Sequence, residues 1–361
     1  MSDALERVHA AYLLRLLVHR DVPPGSTEHV DWSILLSVAA ANNVLLRVAG
    51  RLEELGTDLP EEFARTVSEH RERARAIMAV VRRVTQICSE QAIDSLFPKA
   101  FQHYPDFGRD IDLLLLSHSA ETDALLTRPL GATRVGATLE NWLAGATVYR
   151  IPGCSAVLDI HHGRLGSVGE DTGFPAVMSR RRRVVSIDGS MFEAPTREDQ
   201  LVLQGMQRLY GRSFLRLSDV VYTCATVRSG DLDWDHVVAT ARSVGAFHGL
   251  SCYLSYADQI YTATFGTPLL PPRVRRLFTL GGWGRVEFRA GGFRYPSLRV
   301  GGSLYARKFV SQLAAGDWDA AGRVCLLPLV AVAGAIRRAP RFWTRPRPDV
   351  QIPELASHVA S

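Results

Sequence analysis

Residues 109–116 read Arg109-Asp110-Ile111-Asp112-Leu113-Leu114-Leu115-Leu116, two carboxylates opening an otherwise apolar run. In an extended strand, side chains alternate between faces, so Asp110 and Asp112 project together while Ile111 packs on the opposite side. Adjacent carboxylates repel, and half-burying them without compensation is costly. The usual compensation is a divalent cation. Hard ions such as Mg²⁺ take carboxylate oxygens and keep positions open for substrate phosphates. The run predicts a strand that carries a candidate metal site at Asp110 and Asp112.

Ala156-Val157-Leu158-Asp159-Ile160 reads as a second short apolar strand, followed by His161 and His162. Asp159 is the candidate third acid. Two carboxylates on one strand and a third on a neighbour form a cage that clamps both attacking and leaving oxygens in phosphoryl chemistry. Alternation places His161 on the face of Asp159 and His162 on the other. Lys99 is a point charge suited to phosphates. Arg109 abuts the acid pair, where it can steady Asp110 or reach a triphosphate. The candidate catalytic and metal residues are therefore Asp110, Asp112 and Asp159, with Lys99, Arg109 and His161 as candidate nucleotide contacts.

Several pieces in order resemble one family. Leu96-Phe97-Pro98-Lys99-Ala100, Tyr104-Pro105-Asp106 and Gly108-Arg109-Asp110-Ile111-Asp112-Leu113-Leu114 resemble the signature of an uncharacterised bacterial nucleotidyltransferase family of the polymerase-β-like superfamily. Val157-Leu158-Asp159-Ile160-His161 is similar to its second acidic strand. Pro195-Thr196-Arg197-Glu198-Asp199-Gln200-Leu201 and Leu215-Arg216-Leu217-Ser218-Asp219 resemble its helical half. The likeness runs from about Leu35 to about Ala225. It implies metal-dependent transfer of a nucleoside monophosphate from a nucleoside triphosphate, with Mg²⁺ or Mn²⁺ at the acids and release of pyrophosphate. The chain departs from the pattern at Ala100, where the family has Gly. It also lacks the family's His in the helix after Glu198-Asp199, with Gln207 and Arg208 nearby instead.

Composition is that of an ordinary soluble protein, and the net charge is +5. Lys99 and Lys308 are the only lysines, so arginine supplies 40 of the 42 basic residues. That bias reflects coding composition more simply than a nucleic-acid partner, and it makes Lys99 stand out. Five scattered cysteines without Cys-x-x-Cys spacing argue against a zinc site and a disulfide framework, and point to the cytoplasm. The N-terminus lacks a signal-like segment. No run reaches the ~20 apolar residues of a spanning helix. Val324–Ile336 is too short and contains Pro328, and it reads as a buried helix. Arg337, Arg338, Arg341 and Trp343, which follow it, are the one stretch suited to a membrane surface.

The periodicity predicts an α+β fold: a small mixed sheet flanked by N-terminal and C-terminal helical segments. Residues 1–92 read helical, with Asp31 as a cap and a long Arg-rich amphipathic pattern over Glu61–Ile93. Residues 93–195 form the sheet core. Its strands are Ile93–Leu96, Ile111–Leu116, Ala146–Ile151 and Val157–Ile160, with a helix over Ser119–Leu126. Val184–Ile187, Asp188-Gly189 and Ser190–Glu193 form a hairpin, because Asp-Gly supplies the positive φ values of a type I′ turn. Residues 196–270 read as a helical domain opened by a Thr196 cap, over Leu201–Tyr210, Leu215–Val227, Trp234–Ser243 and Ala246–Phe265. Asp219 is expected to pack or cap a helix. Residues 271–361, rich in Gly, Arg and aromatics, carry no fold assignment.

The expected activity is nucleotidyl transfer to a small-molecule or peptide acceptor. Two other classes fit the same residues: a non-catalytic nucleotide- or ligand-binding protein, and a phosphotransferase.

Overall fold

The computed structural model describes residues 3–19, 30–116, 120–136, 139–166, 168–211, 214–278 and 280–326. The run Val324–Ile336 lies outside the described residues beyond 326, as do Arg337, Arg338, Arg341 and Trp343. Among the described residues, the first four helices are α1 (Asp3–Val18), α2 (Trp32–Ala41), α3 (Leu45–Glu54) and α4 (Glu61–Glu90). Asp31 caps α2 by accepting from the Ser33 and Ile34 amides.

The α/β segment then alternates strands and short helices: β1 (Ser95–Leu96), β2 (Asp110–Leu115), α5 (Ala120–Thr127), β3 (Thr133–Arg134) and α6 (Leu139–Ala144). It continues with β4 (Ala146–Arg150), β5 (Val157–His162), α7 (Gly173–Arg180), β6 (Arg183–Ile187) and β7 (Ser190–Ala194). Five strands form one sheet in the order β1-β2-β5-β4-β3. β2 and β5 are parallel and the remaining pairs antiparallel, so the sheet is mixed as expected. β6 and β7 form the expected hairpin, with Asp188 at φ 48° and Gly189 at φ 75°.

The helical half comprises α8 (Arg197–Tyr210), β8 (Phe214–Leu215), α9 (Leu217–Arg228), α10 (Trp234–Ser243) and α11 (Phe247–Phe265). Thr196 caps α8 by accepting from the Asp199 amide. Beyond Pro271, where periodicity carries no fold assignment, lie α12 (Pro272–Leu277), β9 (Glu287–Arg289), β10 (Gly292–Arg294), α13 (Ser297–Ala314) and α14 (Trp318–Val324). β10 pairs with β8 at Phe293↔Leu215, which ties this region to the helical half.

The sheet separates two cores. Ile111, Leu113 and Leu115 of β2, with Leu158 and Ile160 of β5, pack against Ile77, Val81 and Val84 of α4. Alternation sends Leu114 to the other side, into the core that α1, α2, α3, α8, α9 and α11 share. Asp112 belongs to that second face. Several arginines of α4 are engaged within the protein: Arg71 pairs with Glu53, Arg82 with Asp188, and Arg73 donates to the Gly108 carbonyl.

Candidate active site

Parallel pairing aligns Asp110 with Val157, Asp112 with Asp159 and Leu114 with His161. Asp112 and Asp159 therefore stand side by side on the face turned away from α4, and His161 follows Asp159 on that face. His161 Nε2 lies 3.1 Å from Asp112 Oδ1 and 3.7 Å from Asp159 Oδ2. One donor atom from each of Asp112, Asp159 and His161 falls within 4.8 Å of the others. Lys99, in the turn between β1 and β2, brings its ammonium to 2.6 Å from Asp112 Oδ1. Asp110 points to the same side from an exposed position at the strand start, outside that compact group, and Arg109 beside it is exposed as well. His162 turns to the opposite face, 3.5 Å from Asp123 of α5.

The electrostatics differ between the two central acids. Burial alone would raise the Asp112 pKa, but the Lys99 ammonium and the His161 hydrogen bond outweigh it and hold this carboxyl well below the usual range. Asp159 shifts the other way. Burial pushes it up against the pull of His161, and the charges of Asp112 and Asp110 add to the rise. Asp159 Oδ1 and His161 Nδ1 are both buried without a hydrogen-bond partner in the protein. Two carboxylates and an imidazole, with an unused carboxylate oxygen and no thiolate among them, form a donor set that fits a divalent cation.

Asp112 and His161 of this group line a cleft of about 260 Å³ between the sheet and the helical half, and Asp159 stands beside Asp112. Lys99, Asp110, Asp112 and His161 form one wall, while Arg208 and Tyr210 of α8 belong to the other. The model of an uncharacterised nucleotidyltransferase family matches residues 28–262. The chain belongs to that family. No curated protein and no solved structure matches it.

Within this nucleotidyltransferase-family chain, two signature acids have work other than chemistry. Asp106 of Tyr104-Pro105-Asp106 accepts from the Leu46 amide at 2.7 Å and the Arg47 Nε at 2.8 Å, so it caps α3, whose own N-cap Val44 has no capping side chain. Asp219, fully buried, accepts from the Arg216 amide at 2.8 Å and pairs with Arg208 at 2.8 Å, with His103 at 3.5 Å. It is the capping residue that the sequence suggested. His103, Glu170 and Lys308, which no motif in the sequence marks, also line the cleft. One signal was present for Lys308: like Lys99, it is a lysine kept where arginine is the rule.

Proposed function

We propose that the protein is a metal-dependent nucleotidyltransferase of polymerase-β-like type, moving a nucleoside monophosphate from a nucleoside triphosphate to a small-molecule or peptide acceptor. The observation that carries this reading is the convergence of Asp112, Asp159 and His161 beside Lys99, at the edge of a cleft, in a chain from a nucleotidyltransferase family. Asp112, Asp159 and His161 would hold Mg²⁺ or Mn²⁺, with Asp110 at the rim where a triphosphate enters. When bound, the cation supplies Lewis-acid polarisation and charge neutralisation at the phosphates.

The chain's own residues do the rest. Lys99, a quarter exposed at its side chain, lines the cleft and would offer its ammonium to the phosphate oxygens. Asp159, with one buried oxygen that has no partner in the protein, would orient the acceptor's O–H or N–H and accept its proton. The acceptor oxygen or nitrogen attacks the α-phosphorus, the bond to the β-phosphate oxygen breaks, and pyrophosphate leaves.

Incubating the protein with α- or γ-³²P-labelled nucleoside triphosphates, Mg²⁺ and a panel of acceptors tests this directly. Label moving to the acceptor from the α but not the γ position is the expected result. Transfer from γ alone would establish a phosphotransferase. No transfer together with tight binding of a ligand other than a nucleotide would establish a binding protein.

A further inference from the structure

Lys99 and Lys308 are the chain's only lysines, and both line the cleft. Nucleotidyl transfer accounts for the first and leaves the second without a role. Lys308 sits on α13, beyond the segment that the family model matches. Its ammonium is wholly buried, 2.9 Å from Glu170 Oε1 and 2.9 Å from Asp171 Oδ2, and lies 5.0 Å from the Tyr210 ring centroid. Glu170 Oε2 accepts from the Val168 amide at 2.9 Å. The loop makes room for that carboxylate with Gly166 at φ +97°, where a Cβ would come within 2.2 Å of Glu170 Oε2.

Burying three charges costs several kcal/mol per ion, and apolar packing would anchor a helix at least as well. The triad therefore calls for a reason beyond anchoring, and its position supplies one. Glu170 and Asp171 lie in the loop that follows β5, described over residues 163–166 and 168–172, which begins directly after His161 and His162. Leu165 and Asp171 close this loop with two backbone hydrogen bonds of 2.9 Å, and the Gly163 amide ties its start to Leu115 of β2 at 2.8 Å.

Helix α14 grips the same loop. Arg323 donates to the Val168 and Leu143 carbonyls at 3.1 and 2.9 Å, and Arg164 bridges the Gly169 carbonyl and Asp319 at 3.1 and 3.0 Å. Val168, Leu143 and Val324 pack together beneath these contacts. Two helices that follow the family-matched segment thus converge on the loop that ends the acid-bearing strand.

We propose that α13 and α14 form a clasp, centred on Lys308, that positions the Asp159–His161 end of β5 and closes the inner wall of the cleft. Lys308 is a positioning residue: it acts through Glu170 and Asp171 and touches no reacting atom. Lysine suits the place because its compact ammonium fits between two enclosed carboxylates, where a planar guanidinium is larger and demands a fork geometry. The inference rests on the reading of Asp112, Asp159 and His161 as a cation site.

The test uses the full chain as wild type, as Lys308→Met, and as Arg307→Met for a control on the same helix. Mn²⁺ binding is read by electron paramagnetic resonance and amide hydrogen exchange by mass spectrometry. Lys308→Met should weaken Mn²⁺ binding about tenfold or more, the size typical of losing a group that supports a metal ligand. It should also speed exchange in peptides covering β5 and the loop, with Arg307→Met like wild type. Faster exchange in the loop with unchanged Mn²⁺ affinity would make Lys308 a mere anchor and overturn the proposal, as would no change in either.

A wild type that binds no Mn²⁺ would overturn the cation reading instead. The clasp would then be decided by β5 alone, with faster exchange at 157–162 supporting it and unchanged exchange overturning it. If Lys308→Met does not fold, the triple variant with Glu170→Gln and Asp171→Asn removes the uncompensated charges and is read against the same outcomes.

Discussion

Asp112 on β2 and Asp159 on β5 are register partners across a parallel strand pair. Neighbouring strands lie about 4.8 Å apart, so this register sets two carboxylates face to face in a setting that water screens poorly. Lys99 and His161 stabilise the Asp112 carboxylate, whereas burial raises the proton affinity of Asp159, whose Oδ1 has no partner in the protein. One strand register thus yields two adjacent carboxylates with opposite shifts in proton affinity.

Asp112→Asn and Asp159→Asn should each lower transfer by about 100-fold or more, because the cation they would hold supplies several kcal/mol of transition-state stabilisation. Neither variant should unfold the protein, and Asp159→Asn should leave stability equal or raised, since it removes a charge that burial disfavours. Circular dichroism with chemical denaturation, alongside the labelled-nucleotide assay, checks both halves of the expectation.

Lys99→Met should raise the KM for the nucleoside triphosphate about tenfold, the loss of one charge-assisted contact to phosphate. Its effect on kcat should be smaller. Equal losses in kcat and kcat/KM would instead place Lys99 at the transition state only. Steady-state kinetics at saturating acceptor separates the two.

The Lys308 triad predicts a pH dependence. Burial is the largest influence on Asp171 and pushes its pKa from the ordinary 3.8 up to about 7, with Lys308 opposing and the Glu170 charge adding to the rise. The folded state then binds this proton more tightly than the unfolded state does. Its contribution is fully present below about pH 4 and is lost as pH rises through about 7, by about 4 kcal/mol at most. Asp171→Asn should flatten that fall and be more stable than wild type at pH 8, as urea unfolding at pH 5 and pH 8 will measure.

Asp106→Ala should destabilise the protein by about 2–3 kcal/mol, because it strips the remote cap from α3 and leaves Arg47 without its carboxylate. Mn²⁺ affinity should stay at the wild-type value. A large loss of metal binding with intact stability would show that this signature acid serves the site and not the helix.

The local parts of the fold were legible in the sequence because each has a short-range cause. Alternation in Asp110–Leu115 made a strand with its acids on one face, Asp188-Gly189 made a tight hairpin, and Asp31 and Thr196 began helices by accepting backbone amides. The placement of His161 on the face of Asp159 followed from the same period of two. What tertiary structure alone decided is which segments meet. Nothing local says that β5 lies next to β2 and not at a sheet edge, or that Asp112 aligns with Asp159 and leaves Asp110 at the exposed rim. Nor does it say that Asp106 caps a helix some 60 residues earlier, or that Lys308 pairs with carboxylates about 138 residues away. Such contacts depend on how layers pack around a shared core, and a buried charge selects its partner only once packing has excluded water from both.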